Sequence, residues 1–145
     1  MSNIIFSSEN IDFQLEKPLL IKRWIASSVQ NESFNIGEIS ITFTSDDFLL
    51  KINQKHLNHD YFTDIITFDY SENSTLNGDL FISIDRVRDN AKEFGDSFAN
   101  ELSRVVIHGV LHLCGYKDKS AKDEALMREK ENFYLSLQKE TEISW

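Results

Sequence analysis

One cysteine, one proline and five glycines are spread over 145 residues, and each scarcity removes a class of protein. Cys114 alone cannot close an internal disulfide, which excludes a disulfide scaffold and makes the cytoplasm the expected location. Low proline and glycine leave no collagen-like, linker or low-complexity tract. Apolar runs stay far short of the roughly 20 residues that span a bilayer. The Met1–Ser7 stretch has neither the basic flank nor the apolar length of a signal peptide, so no membrane is expected as a partner. Positive charge is short as well: 15 Lys and Arg stand against 24 Asp and Glu, a formal charge of −9. Such a field repels phosphate, so a general nucleic-acid binder is disfavoured and DNA is not expected as a ligand. Any phosphate-bearing substrate requires a local basic patch or a bound cation.

What remains suits a single domain over 1–145 with its own core. Asn3–Phe13 reads as one or two short strands around a polar turn at Ser7–Asn10. Pro18 opens a helix to about Gln30, with Leu19, Leu20, Trp24, Ile25 and Val29 on its buried face. After a turn at Asn35–Gly37, Ile39, Ile41 and Phe43 alternate with polar residues at strand period. Ser45 or Asp46 caps a helix carrying Phe48, Leu49 and Ile52, and His56–Asp60 is a polar connection. Ile65–Tyr70 and Leu80–Ile84 are strands joined by a loop through Ser71–Gly78. Asp85 caps a short helix ending at Gly95, and Asp96 or Ser97 caps a longer one with Leu102, Val105, Val106, Val110 and Leu113 on its apolar face. Gly115 stops that helix, and a last one follows Asp118. The fold class is α+β: a small mixed sheet packed with about five helices.

The chemistry concentrates in His108-Gly-Val-Leu-His112-Leu-Cys-Gly115-Tyr-Lys-Asp118. Histidines four apart share a helix face, so both imidazoles can aim at one point. Such pairs also arise by chance and bind nothing. Here Gly115 can turn the chain in the left-handed conformation and bring Asp118 back as a third ligand. Two imidazoles and a carboxylate with a fourth position for water is the pattern of a catalytic zinc. Zincin peptidases carry a glutamate base after the first histidine; this chain has Gly109.

These residues resemble the signature His-Gly-x-Leu-His-Leu-x-Gly-Tyr-Asp-His of the YbeY family of bacterial endoribonucleases, the rRNA maturation factors. His108, Gly109, Leu111, His112, Leu113, Gly115 and Tyr116 match it position by position. Thr63-Asp64-Ile65-Ile66-Thr67-Phe68 and Gly78-Asp79-Leu80 are similar to two strand motifs of the same family. The resemblance covers nearly the whole chain and departs in two places. Lys117-Asp118 stands where the family has Asp-His, so an aspartate replaces the third ligand histidine. Leu57-Asn58-His59 stands where many members carry Arg-x-Lys.

The resemblance implies a zincin-like metal-binding helix and one Zn2+ per chain held by His108, His112 and Asp118. It also implies cleavage of single-stranded RNA in 3′ maturation of small-subunit rRNA and in ribosome quality control, with ribosomal RNA, particles or proteins as partners. His59, at the family's basic position, is a candidate for proton transfer or phosphate contact, against the alternative of an exposed loop histidine. Asp64 is a candidate to orient a ligand histidine, against a plain strand-start carboxylate. Arg104, Lys117, Lys119 and Lys122 offer the local positive patch. Glu124, Glu129, Lys130 and Glu131 read as a solvated helix face, Cys114 as a buried core residue, and Trp24 with the phenylalanines as core. Two competing readings stay open: a zinc peptidase, and a non-catalytic ribosome assembly factor with a structural metal.

Overall fold

The fold follows from four strands that bury one core against five helices. The computed structural model describes residues 3–140, with side chains through Gln138. Strands β1 (Ile4–Glu9), β2 (Asn35–Thr44), β3 (Ile65–Asp69) and β4 (Thr75–Ser83) form a sheet in the order β1-β2-β4-β3. β1 and β4 each run parallel to β2, and β3 is antiparallel to β4, so the sheet is mixed. The helices are α1 (Pro18–Asn31), α2 (Asp46–Leu57), α3 (Ile84–Phe94), α4 (Phe98–Leu113) and α5 (Ala121–Glu140).

Local chemistry sets most boundaries. Ser45, Ser83 and Ser97 each accept a hydrogen bond from the amide three residues on, capping α2, α3 and α4. The cap of α3 is therefore Ser83 rather than Asp85, whose carboxylate instead accepts the Asp46 amide at 2.9 Å. Asn58 and Gly95 close α2 and α3 in the left-handed region.

Four local expectations shift. Ser7–Glu9 continues β1 instead of turning, because it pairs with Thr42–Thr44 of β2. Asn35–Gly37 belongs to β2 and absorbs an irregularity in register between Ile36 and Ile39. The β3–β4 reversal sits at Asn73-Ser74, both at positive φ and closed by the reciprocal Glu72–Thr75 backbone bonds, so β4 starts earlier than Leu80. Helix α2 runs on through His56 and Leu57.

Phe43, Leu80, Ile82, Val106 and Val110 lie at the centre of the core. Leu19, Phe62, Phe94 and Phe133 are exposed, so the apolar face of α1 is narrower than its pattern suggests and not every phenylalanine is core. Helix α4 carries the site because it lies between the sheet and the helices α3 and α5. Its seat on the sheet is close: a Cβ at Gly109 would stand 2.6 Å from Leu80 Cδ2 and 2.7 Å from Ile65 Cδ1. At Gly78 a Cβ would meet Leu113 Cδ2 at 2.7 Å. These two glycines let helix and sheet touch.

Candidate active site

The apolar stripe of α4 buries Val106, Val110 and Leu113, which turns His108 and His112 toward α5 and the turn between the two helices. Gly115, at φ +101, reverses the chain after α4 and returns Asp118 to the histidines. His108 Nε2 lies 3.0 Å from His112 Nε2, and Asp118 Oδ2 lies 3.2 Å from the first and 3.3 Å from the second.

The outer partners decide what these atoms present. Nδ1 of His108 stands 2.7 Å from Glu131 Oε2, and Nδ1 of His112 stands 2.8 Å from the Tyr116 carbonyl oxygen. Carboxylate and carbonyl only accept, so each imidazole places its proton on Nδ1. In the neutral rings both Nε2 lone pairs then converge with an anionic oxygen. Without a shared proton or a cation these three atoms would repel one another. Four-coordinate zinc with bonds of about 2.0–2.1 Å separates its ligands by roughly 3.3–3.4 Å, close to the spacing observed. His108, His112 and Asp118 can therefore hold a metal ion, and the donor set suits zinc.

Glu131 was expected on a solvated face of α5; it is 4% exposed. Its Oε1 accepts from Arg104 Nη1 at 3.0 Å while Oε2 takes the histidine. Burial pushes its carboxyl up, but the bonds from His108 and Arg104 outweigh that and hold it below the usual value. Burial also opposes protonation of His108, yet Glu131, Asp118 and Asp64 raise it above the ordinary imidazole value. The signal for Glu131 lay in periodicity: it shares a helix face with Met127, Tyr134 and Leu135, all buried. Lys130 is not freely solvated either, since its Nζ reaches Glu32 at 3.3 Å.

A second anchor holds the turn. Glu32, just past α1, accepts from the Tyr116 hydroxyl at 2.6 Å and from the Tyr134 hydroxyl. Burial raises the Glu32 carboxyl, but these hydroxyls and Lys130 bring it below its ordinary value. Nothing near residue 32 in the sequence advertises this role.

A cavity of about 640 Å3 opens beside His108 and Asp118, and Asp64, Glu101, Arg104 and Glu131 help to line it. Asp64 thus faces the site, and burial pushes its carboxyl up while His108 pulls it down. The Nδ1 bonds of His108 and His112 go to Glu131 and Tyr116, not to Asp64. His59 does not line this cavity. It is exposed after α2, stacked on Tyr61 at 5.1 Å between centroids, and its Nδ1 bonds the Tyr61 hydroxyl at 3.0 Å. Lys117, Lys119 and Lys122 are exposed around the turn, whereas Arg104 is tied to Glu131. Cys114 is half-buried against the core, and burial lifts its thiol to about 12. Among the described residues no helix is long and apolar enough to cross a membrane.

Comparison with known proteins agrees with this architecture. The chain is 51% identical over 127 residues to the Endoribonuclease YbeY of Flavobacterium psychrophilum, covering 88% of this chain and 91% of that protein. It is 48% identical over 141 residues to the Endoribonuclease YbeY of Porphyromonas gingivalis, covering 97% and 93%. The solution structure of TM1509 from Thermotoga maritima superposes with a TM-score of 0.66 at 28% identity, covering 97% of this chain and 96% of that one. The sequence profile described as Endoribonuclease YbeY matches residues 3–139, and with these relatives it establishes that the chain belongs to the YbeY family.

Proposed function

We propose that this chain is a zinc-dependent endoribonuclease for single-stranded RNA. It binds one zinc per chain and acts in ribosomal RNA maturation and quality control on ribosomal particles. Kinship with proteins called endoribonucleases supports the reaction class. The observation that carries the metal is the convergence of two Nε2 lone pairs and Asp118 Oδ2 within 3.0–3.3 Å of one another.

Zinc bound there would bring the pKa of a water toward roughly 7 and polarise a phosphoryl oxygen, the two needs of phosphodiester hydrolysis. The protein supplies the rest. Glu131 and the Tyr116 carbonyl hold both imidazoles in the ligating tautomer. Asp118 in place of a histidine adds negative charge, which moderates Lewis acidity and suits an oxygen-tolerant metal. Arg104, fixed by Glu131 on the cavity wall, offers a cation to a phosphate in an otherwise acidic protein. Asp64, with its carboxyl raised by burial, is suited to take up or return a proton beside the metal. His59 contacts substrate phosphate outside the cavity.

The peptidase reading loses its usual base. Position 109, where zincins carry glutamate, faces the sheet at a distance that excludes even a Cβ. Metal analysis of the purified protein, paired with cleavage of single-stranded RNA by wild type, His112→Ala, Asp64→Ala and His59→Ala, tests the proposal. One zinc per chain and RNA cleavage abolished by His112→Ala are expected. Cleavage that survives His112→Ala would sink it, and full activity in the other two variants would remove those residues from the mechanism.

A further inference from the structure

The cavity beside the metal ligands continues along α4 away from His108, and its chemistry changes on the way. Glu101, Arg104, Val105 and His108 form one ridge of the helix, and Asn90 and Phe94 face the same cavity from α3. Glu101 is only 6% exposed, and Arg104 is the foremost of the cations that offset its charge. Phe94 closes α3 with 67% of its surface bare, beside an amide, on the wall of a concave site. A lone exposed phenylalanine needs no explanation. An exposed ring, an amide and a nearly buried carboxylate sharing one cavity do call for a ligand with a flat face and N–H donors on its edge.

We propose that this part of the cavity is a nucleobase subsite, in which one unpaired base, guanine by preference, stacks on Phe94 and is read at its edge by Glu101 and Asn90. The inference rests on the endoribonuclease reading and names the part of the RNA that the site selects. A phosphate does not fit beside Glu101, whose carboxylate repels an anion, and belongs instead nearer Arg104 and His108. Base edges do fit: guanine presents its N1–H and 2-amino N–H side by side, matching the two oxygens of one carboxylate. Stacking on an aromatic ring together with edge reading is how proteins select single-stranded RNA. Seven residues of helix separate Glu101 from His108, about 10 Å along the axis, so the base read neighbours the scissile phosphate.

The test titrates the full-length, metal-free protein with labelled single-stranded oligoribonucleotides by fluorescence anisotropy. One probe carries a single guanine in an otherwise uridine strand, and a second carries inosine there, which lacks the 2-amino group. Wild type is expected to bind the guanine strand several-fold more tightly. Phe94→Ala should weaken both strands about tenfold, the scale of one lost stacking contact. Glu101→Gln, isosteric and folded by circular dichroism, should erase the preference between them. Equal binding of the two strands by wild type, or Phe94→Ala binding as wild type does, would overturn the subsite while leaving zinc-dependent cleavage intact. An arginine-rich peptide that displaces RNA from this cavity, with loss of that displacement in Glu101→Gln, would overturn it in favour of a protein ligand. Absence of any RNA cleavage by the zinc-loaded wild type would instead defeat the nuclease reading, and the anisotropy result would still decide the subsite.

Discussion

His112 donates from Nδ1 to the main-chain carbonyl of Tyr116 at 2.8 Å, and the hydroxyl of the same tyrosine donates to Glu32 at 2.6 Å. One residue thus orients a candidate metal ligand through its backbone while its side chain is moored to the end of α1. The turn that delivers Asp118 is stretched between these two points. Tyr116→Phe keeps the carbonyl but releases the mooring. Zinc affinity, measured by competition with a chromogenic chelator, should fall by several-fold to about tenfold, the low end for an outer-shell change. Unchanged affinity would show that the turn holds itself.

Glu131→Gln attacks His108, the other candidate ligand on α4, directly. An amide can still accept a bond, but it no longer balances Arg104 or supports charge on His108. Zinc affinity should fall about 10- to 100-fold. The metal-free protein should also lose roughly 1–3 kcal/mol of stability, because a nearly buried charged bond is broken. Chemical denaturation and metal competition measure the two effects separately.

Protons and metal compete for the same site, and the sign can be worked out. His108 is raised above its ordinary 6.5 in the fold, so its contribution is fully present below that value and is lost as pH rises through the raised one. Glu131 is lowered from 4.5, so its contribution is present above 4.5 and is lost as pH falls through the lowered value. Asp64 and Glu101, raised by burial, add to the decline at higher pH. Metal-free protein should therefore be most stable in mildly acidic solution and lose melting temperature toward pH 8. Saturating zinc should reverse that slope, since the metal binds deprotonated histidines. Parallel pH profiles with and without zinc would contradict the assignment.

Gly109→Ala should destabilise the protein by about 1–3 kcal/mol, because the new Cβ must displace Leu80 and Ile65 in a packed core. Gly109→Glu, the change that would restore a zincin motif, should fail to fold rather than gain peptidase activity. Thermal unfolding of the first and solubility of the second provide the check.

The Cys114 thiol, lifted to about 12, stays protonated at neutral pH. Native protein should react with iodoacetamide far more slowly than the same chain in denaturant. Equal rates would mean that the thiol is solvated.

The convergence of three candidate ligands was legible along the chain because everything that joins them is local: helical spacing unites His108 and His112, and one glycine turn returns Asp118. Serine caps, strand alternation and the position of α4 are equally short-range, and so was the family signature. Glu131 and Glu32 were not legible as site residues, since each reaches its partner across 23 to 102 positions of chain through helix packing. A charged residue on an amphipathic helix looks solvated until the neighbouring helix is in place. Periodicity along α5 hinted at Glu131; nothing local hinted at Glu32. The bare face of Phe94 was hidden for the converse reason: an apolar residue implies burial, and only the path of α3 beside the cavity left its ring open. The sequence by itself determined which atoms can ligate; the packing of α1, α3 and α5 around α4 decided which side chains orient those atoms and what else shares the cavity, because those contacts depend on distances that spacing along one element does not encode.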